Sequence, residues 1–128
     1  MTGFDLLRNA TALFFDADTK YYEPAALACL NMVLAEIFDV NNRLRLQNKK
    51  EELERIPQLE GLAQEIPYED ALVFTAMPWG LAAKLIVDDR DAGVLAYLHD
   101  AYVNAIAACD RGYVRVENTG EHDETDSL

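Results

Sequence analysis

The chain has 128 residues, of which 51% are apolar and 27% charged, a balance that suits one folded domain rather than a disordered segment. Twenty-three acids against eleven bases leave a formal net charge of −12, a sign that repels nucleic-acid phosphates and favours solubility. The longest apolar run, Ala25–Leu30, is six residues, far short of the roughly 20 that span a bilayer, and no basic-then-apolar leader opens the chain.

The acids are partly concentrated at the end. Glu117, Glu121, Asp123, Glu124 and Asp126 stand in a stretch without a base; without them 18 acids still face 11 bases, so the remainder carries −7. Such a surface does not forbid standing beside DNA: a protein that lines a DNA passage without gripping it needs this sign. The two cysteines, Cys29 and Cys109, lie in apolar helical patterns with no metal-binding spacing, and read as buried free thiols.

Apolar spacing predicts an all-α, four-helix bundle-like domain over residues 1–112. The first helix spans Phe4 to Asp16, with Leu6, Leu7, Ala10, Leu13 and Phe14 in phase, and "DADTK" breaks it. The second starts at Pro24, a first-turn proline, and runs to about Gln47, roughly 36 Å at 1.5 Å per residue. Leu27, Leu30, Leu34, Ile37, Phe38, Asn41 and Leu44 form its inner stripe, while Asn31, Glu36, Asp39 and Arg43 take the other side.

From residue 48 to 67 the pattern dissolves into an arm over the surface. "KKEELER" is compatible with a short helix, and "IPQLEGLAQEIP" holds two prolines and a glycine. A connection this long is often functional. The third helix begins near Tyr68 or Glu69 and reaches Val87, interrupted at Pro78. After "DDRD", the fourth places Val94, Leu95, Leu98, Tyr102, Ala105, Ile106 and Cys109 on one face and ends at Arg111-Gly112. Residues 113–117, "YVRVE", alternate as a short β-like extension, and 118–128 read as a disordered acidic tail.

No catalytic, cofactor or metal constellation emerges. "ALFFDADT" has the Asp-x-Asp of haloacid-dehalogenase-type phosphatases, with Lys84 and Asp88-Asp89 as the other residue types that chemistry uses. Its threonine, Thr19, falls one position late, and the run before Asp16 has helical rather than strand period. Asp88, Asp89 and Asp91 read as helix caps rather than cation ligands. His99 reads as solvated helix surface. The bases Arg43, Arg45, Lys49, Lys50 and Arg55 are interleaved with Glu51, Glu52 and Glu54, so they form a balanced helix end or a docking patch for an acidic neighbour.

The segment Met77-Pro78-Trp79-Gly80 is the local anomaly. A proline inside a helix costs about 3 kcal/mol. Either the helix kinks around its own core with Trp79 buried, the simpler reading of the residues alone, or the kink presents Trp79 to another subunit.

"EIFDVNNRLR" (Glu36–Arg45), "IPYEDALV" (Ile66–Val73), "MPWGLAAKLIVDD" (Met77–Asp89) and "YVNAIAA" (Tyr102–Ala108) resemble a group of small structural proteins of bacteriophages and prophages. Their pattern is Pro-Tyr-Gly-Leu-Ala-Ala-Lys-Leu followed by acids, with Trp79 here replacing the aromatic. The resemblance covers roughly Ala25–Ala108. In size and helix layout it extends to the head–tail connector (adaptor or neck) proteins of tailed phages, which form rings between portal and tail. It implies a non-enzymatic virion assembly protein, present in the bacterial host cytoplasm during assembly and in the virion. Its partners would be its own copies in a ring and the portal and neck or tail proteins. Specific nucleic-acid binding, membrane attachment and cofactors are not expected, although the ring would surround DNA. Candidate contact residues are Pro78, Trp79, Gly80, Arg43, Arg45, Tyr113, Val114 and Val116. The alternatives from the residues are an acidic regulatory binding protein or DNA mimic and, more remotely, a phosphatase-like enzyme.

Overall fold

A computed structural model describes residues 1–16, 18–86 and 92–111. The fold is all-α: five helices and one π-helical turn, with no strand among the described residues. The helices are α1 (Gly3–Ala12), α2 (Thr19–Glu36), α3 (Phe38–Gln47), α4 (Met77–Leu85) and α5 (Ala92–Asp110), and the π turn, Leu72–Ala76, leads directly into α4. Helix α4 is the central element and packs on α1, α2 and α5, while α3 lies against α5. Leu6, Leu7, Leu30, Leu34, Ile37, Leu72, Met77, Leu81 and Leu98, each 1% exposed or less, fill the space between them.

Helix α1 starts in a capping box. Thr2 accepts from the Asp5 N–H through its hydroxyl while Asp5 accepts from the Thr2 N–H. It ends earlier than its apolar spacing predicts. The Asp16 N–H donates to the Thr11 carbonyl and the Phe15 N–H to Ala12, a Schellman closure with Phe15 in the left-handed region at φ 61°. Helix α3 closes in the same way. Lys49 stands at φ 64°, where glycine is usual, and the Lys50 N–H reaches the Arg45 carbonyl.

The expected second helix differs in two respects. It begins at Thr19, so Pro24 lies inside it rather than in its first turn. It also bends at Ile37, which divides it into α2 and α3. Neither proline nor glycine marks that bend. The Tyr68 hydroxyl donates to the Leu34 carbonyl, the group that would otherwise accept from the Phe38 N–H. A side chain inserted into the helical ladder is an established cause of kinks. Burial pushes the Tyr68 phenol well above its ordinary pKa, with the Asp39 carboxylate adding to the shift, so it remains a donor.

The arm, residues 48–67, is fastened to the body, and "KKEELER" is not helical. Asparagine side chains hold it like backbone partners. Asn42 both donates to the Leu53 carbonyl (3.2 Å) and accepts from the Leu53 N–H (2.8 Å). Asn31 does the same to Leu59, at 3.0 and 2.8 Å. Leu59, Leu62 and Ile66 are buried beneath it. Its last part runs beside the N-terminal segment: Gly3 and Phe4 N–H donate to Gln64 and Leu62 carbonyls, and the Ile66 N–H donates to Met1. A Cβ on Gly3 would lie 2.9 Å from the Leu62 carbonyl oxygen, so glycine there permits the approach of two backbones.

Where the arm ends, Glu69 is buried at 6% exposure. Its N–H donates to Asn41 Oδ1 at 2.8 Å. Its carboxylate accepts from Asn48 Nδ2 at 2.8 Å and from Lys50 Nζ at 3.1 Å, with Arg45 Nη1 3.6 Å away. Burial alone would raise its pKa, but the Asn48 and Lys50 hydrogen bonds and the Lys50 and Arg45 charges prevail and hold it below the ordinary 4.5. A depressed carboxylate stabilises the fold above its unfolded pKa, and that stabilisation is lost as pH falls through the folded value. Glu69→Gln is therefore expected to lower the urea midpoint at neutral pH and to flatten its decline below pH 4.5. An unchanged acid profile would remove Glu69 as the source.

Candidate interaction surface

The π turn accounts for the tolerance of Pro78. The Met77 N–H donates to the Leu72 carbonyl, five residues back, so the ladder changes register one residue before the position that cannot donate. Pro78 is buried. Gly80 is buried too, and the group that approaches it belongs to the same chain. A Cβ at Gly80 would stand 2.5 Å from Tyr102 Cε1. Gly80 thus shapes the internal α4–α5 contact and Pro78 is buried in the same chain, whereas the sequence offers both as contacts to another subunit.

The Tyr102 ring that covers Gly80 is itself anchored. Its hydroxyl donates to Glu36 Oε1 at 2.8 Å, and Lys84 Nζ donates to Glu36 Oε2 at 2.8 Å. Burial, then the Glu36 hydrogen bond and charge, push the Tyr102 phenol far above its ordinary pKa. This triad joins α2, α4 and α5. Sequence reading places Glu36 on the outer side of its helix, Tyr102 on the inner face of the last and Lys84 only among phosphatase residue types; nothing in local spacing pairs residues 36, 84 and 102.

Trp79 is half-buried and meets the exposed Tyr97 edge-on, ring centroids 5.8 Å apart. Two contacts fix how α5 runs along the π turn and α4: Thr75 meets Cys109 (Oγ1 to Sγ 3.3 Å), and Gly80 meets Tyr102. The helices are therefore antiparallel. Residues one position before the inward ones fall on the same side of the seam: Phe74 and Trp79 on one wall, Tyr97, Ala101, Asn104 and Ala108 on the other. Phe74 and Trp79 are five apart and share that side because the π turn adds one residue to the repeat. Phe74 is 53% and Tyr97 62% exposed, while Ala101 and Ala108 are half-buried. The seam therefore carries the Trp79–Tyr97 pair at one end, with Ala101, the exposed Asn104 and Ala108 along the α5 wall. Of its residues only Trp79 is singled out by the sequence; Tyr97 could have been found as the large apolar residue one position off the inward face of α5.

The other candidates are dispersed. Arg43 clamps Asp110 at the end of α5 with two bonds, Nε to Oδ1 at 2.8 Å and Nη2 to Oδ2 at 3.0 Å. The aspartate holds the guanidinium pKa above its usual value. Arg45 donates to the Glu51 carbonyl at 2.5 Å and approaches Glu69. Both arginines have internal partners and lie away from Trp79. Tyr113, Val114 and Val116 lie outside the described residues, as do Asp88, Asp89 and Asp91. His99 is exposed; Cys109 is a buried free thiol, and Cys29, expected buried, is half-buried.

Asp16 follows a helix rather than a strand. Its carboxylate accepts from the Asp18 N–H and the Tyr22 hydroxyl, each at 2.9 Å, which lowers its pKa. The turn around it exposes Phe15 (95%) and Tyr21 (74%), a second apolar surface that sequence reading passes over. No helix among the described residues is long and apolar enough to cross a membrane. No family profile, curated protein or solved structure matches the chain.

Proposed function

We propose that this chain is a structural subunit of a tailed phage or prophage, a head–tail connector that acts by assembly rather than by catalysis. The observation that carries the reading is the Trp79–Tyr97 ring contact at the surface of an all-α body, with Tyr97 and Phe74 exposed, since surface aromatics are enriched at protein–protein contacts. The sequence resemblance over Ala25–Ala108 supplies the class of assembly. The −12 charge suits a ring through which DNA slides without being gripped. In this reading α1, α2, α4 and α5 form the bundle-like body. The arm is a fixed part of the body and not a tether.

A phosphate-mimicking protein needs its carboxylates gathered and free. Asp5, Glu36, Glu69 and Asp110 are committed to internal partners, which leaves these four out of any such patch. Native mass spectrometry and electron microscopy with the cognate portal protein test the connector. The expected result is a portal-bound ring of this chain. A strict monomer that never binds portal, even at high concentration, would overturn the reading.

A further inference from the structure

We propose that the bend between α2 and α3 is imposed from outside the helix by the arm, which acts as a brace, so that seating the arm and bending the helix are one conformational event. The proposal does not rest on the connector reading. Nothing in the helix itself asks for a bend. Residues 25–47 contain no glycine or proline. Ile37, at φ −111° and ψ 18°, alone separates the two helices. The ladder continues on both sides of it: the Ile37 N–H donates to the Val33 carbonyl, and the Asn41 N–H donates to the Ile37 carbonyl. Between these, the Leu34 carbonyl is diverted to the Tyr68 hydroxyl.

The arm holds both sides of this point. On α2, Asn31 pairs with both backbone groups of Leu59; on α3, Asn42 pairs with both backbone groups of Leu53. Tyr68, the first residue after the arm, is 5% exposed and reaches the bend itself. Fastenings on either side of a joint, with a wedge in it, fix its angle. Helix α5 also spans the bend: it packs on α3, Tyr102 reaches Glu36, and Asp110 reaches Arg43. The Arg43 side chain is 53% exposed, and an exposed ion pair holds little. The amide pairs of the arm are part-buried and the wedge is buried, which places control of the bend in the arm. With the arm unseated, the ladder closes through Leu34, and Thr19–Gln47 becomes one helix about 43 Å long at 1.5 Å per residue. Val40 and Leu44, buried in the bent form, would then leave the core, so the bent form is the ground state.

Solution NMR on the full chain reads both halves of the event. The Ile37 HN–Hα coupling reports its φ, large at −111° and small at the helical value of about −63°. Amide exchange at Leu53 and Leu59 reports whether the arm is seated. Tyr68→Phe removes one oxygen and keeps the ring, so the core stays filled. It is expected to lower the Ile37 coupling towards the helical value. It should also speed exchange at Leu53 and Leu59 by about threefold or more, the scale of one hydrogen bond. Leu81 in α4 and Leu98 in α5 should keep their protection. Asn42→Ala leaves the wedge intact and should move the same two readouts together, whereas Arg43→Gln should move neither. An Ile37 coupling unchanged in Tyr68→Phe overturns the brace, as does an arm that loosens in Asn42→Ala with Ile37 unmoved. Equal loss of protection at Leu81 and Leu98 overturns it too, because the arm would then open only with the whole core. A shift at Ile37 in Arg43→Gln would give the bend to α5 instead.

Discussion

Gly80→Ala is expected to destabilise the protein by about 1–3 kcal/mol, the usual cost of overpacking a filled core. The sign is informative because helix propensity argues the other way. In an exposed helix interior, alanine is favoured over glycine by about 1 kcal/mol. Here the new methyl group would lie 2.5 Å from Tyr102 Cε1 and 2.8 Å from Cδ1 and Cζ. The ring has no free direction of retreat: it is 5% exposed, and its hydroxyl is tied to Glu36, which also accepts from Lys84. Moving it either strains α5 away from α4 or breaks the triad. A double-mutant cycle isolates the cause. In a Tyr102→Leu background the alanine should lose its penalty and reveal some of the propensity gain. Urea unfolding of the four proteins measures both numbers. Stabilisation by Gly80→Ala in the parent chain would show that the ring yields, and the internal role of Gly80 would fall with it.

The same residues show what sequence alone yields. The inward face of α5 was legible because Leu98, Tyr102, Ala105 and Cys109 keep strict helical phase, and all pack on the core. Asn41 was legible as core-facing on the same ground, since it stands in phase with an otherwise apolar stripe. The bend at Ile37 was not legible. Its cause, the Tyr68 hydroxyl, stands 34 residues in sequence from the Leu34 carbonyl it binds, and helical period runs through the bend undisturbed. The arm was legible as a long connection but not as a fastened one. Asn31 and Asn42 read as ordinary polar positions until the Leu59 and Leu53 backbones are found beside them. At the candidate surface, Trp79 stood out by rarity, whereas Phe74 joins it only because the π turn shifts the register by one residue. Period analysis at 3.6 residues puts the two rings on different sides.

The buried asparagine leads to the second large effect: Asn41→Ala is expected to cost about 2–3 kcal/mol through a lost hydrogen bond and a small cavity. Asn41 is 0% exposed. Its amide orientation is fixed by chemistry, since the atom facing the Glu69 N–H must be an acceptor and is Oδ1 at 2.8 Å. That leaves Nδ2 buried without a partner among the described residues, a standing cost in the native state. Two effects therefore oppose each other in the alanine variant. Removing Nδ2 relieves one orphan, but removing Oδ1 creates another at the Glu69 N–H. The second prevails because that N–H belongs to the residue whose carboxylate collects Asn48 and Lys50 and is approached by Arg45, so its displacement loosens the junction of α3, the arm and the π turn together. Asn41→Asp separates the contributions. It keeps the acceptor and exchanges the orphan donor for an oxygen, at the expense of a buried charge about one side chain from Glu69. Its stability should lie well below the parent at neutral pH and recover relative to the parent as the new carboxyl protonates on acidification. A parallel decline of both proteins with falling pH would mean that the Asn41 site is hydrated and that the bond to Glu69 contributes little.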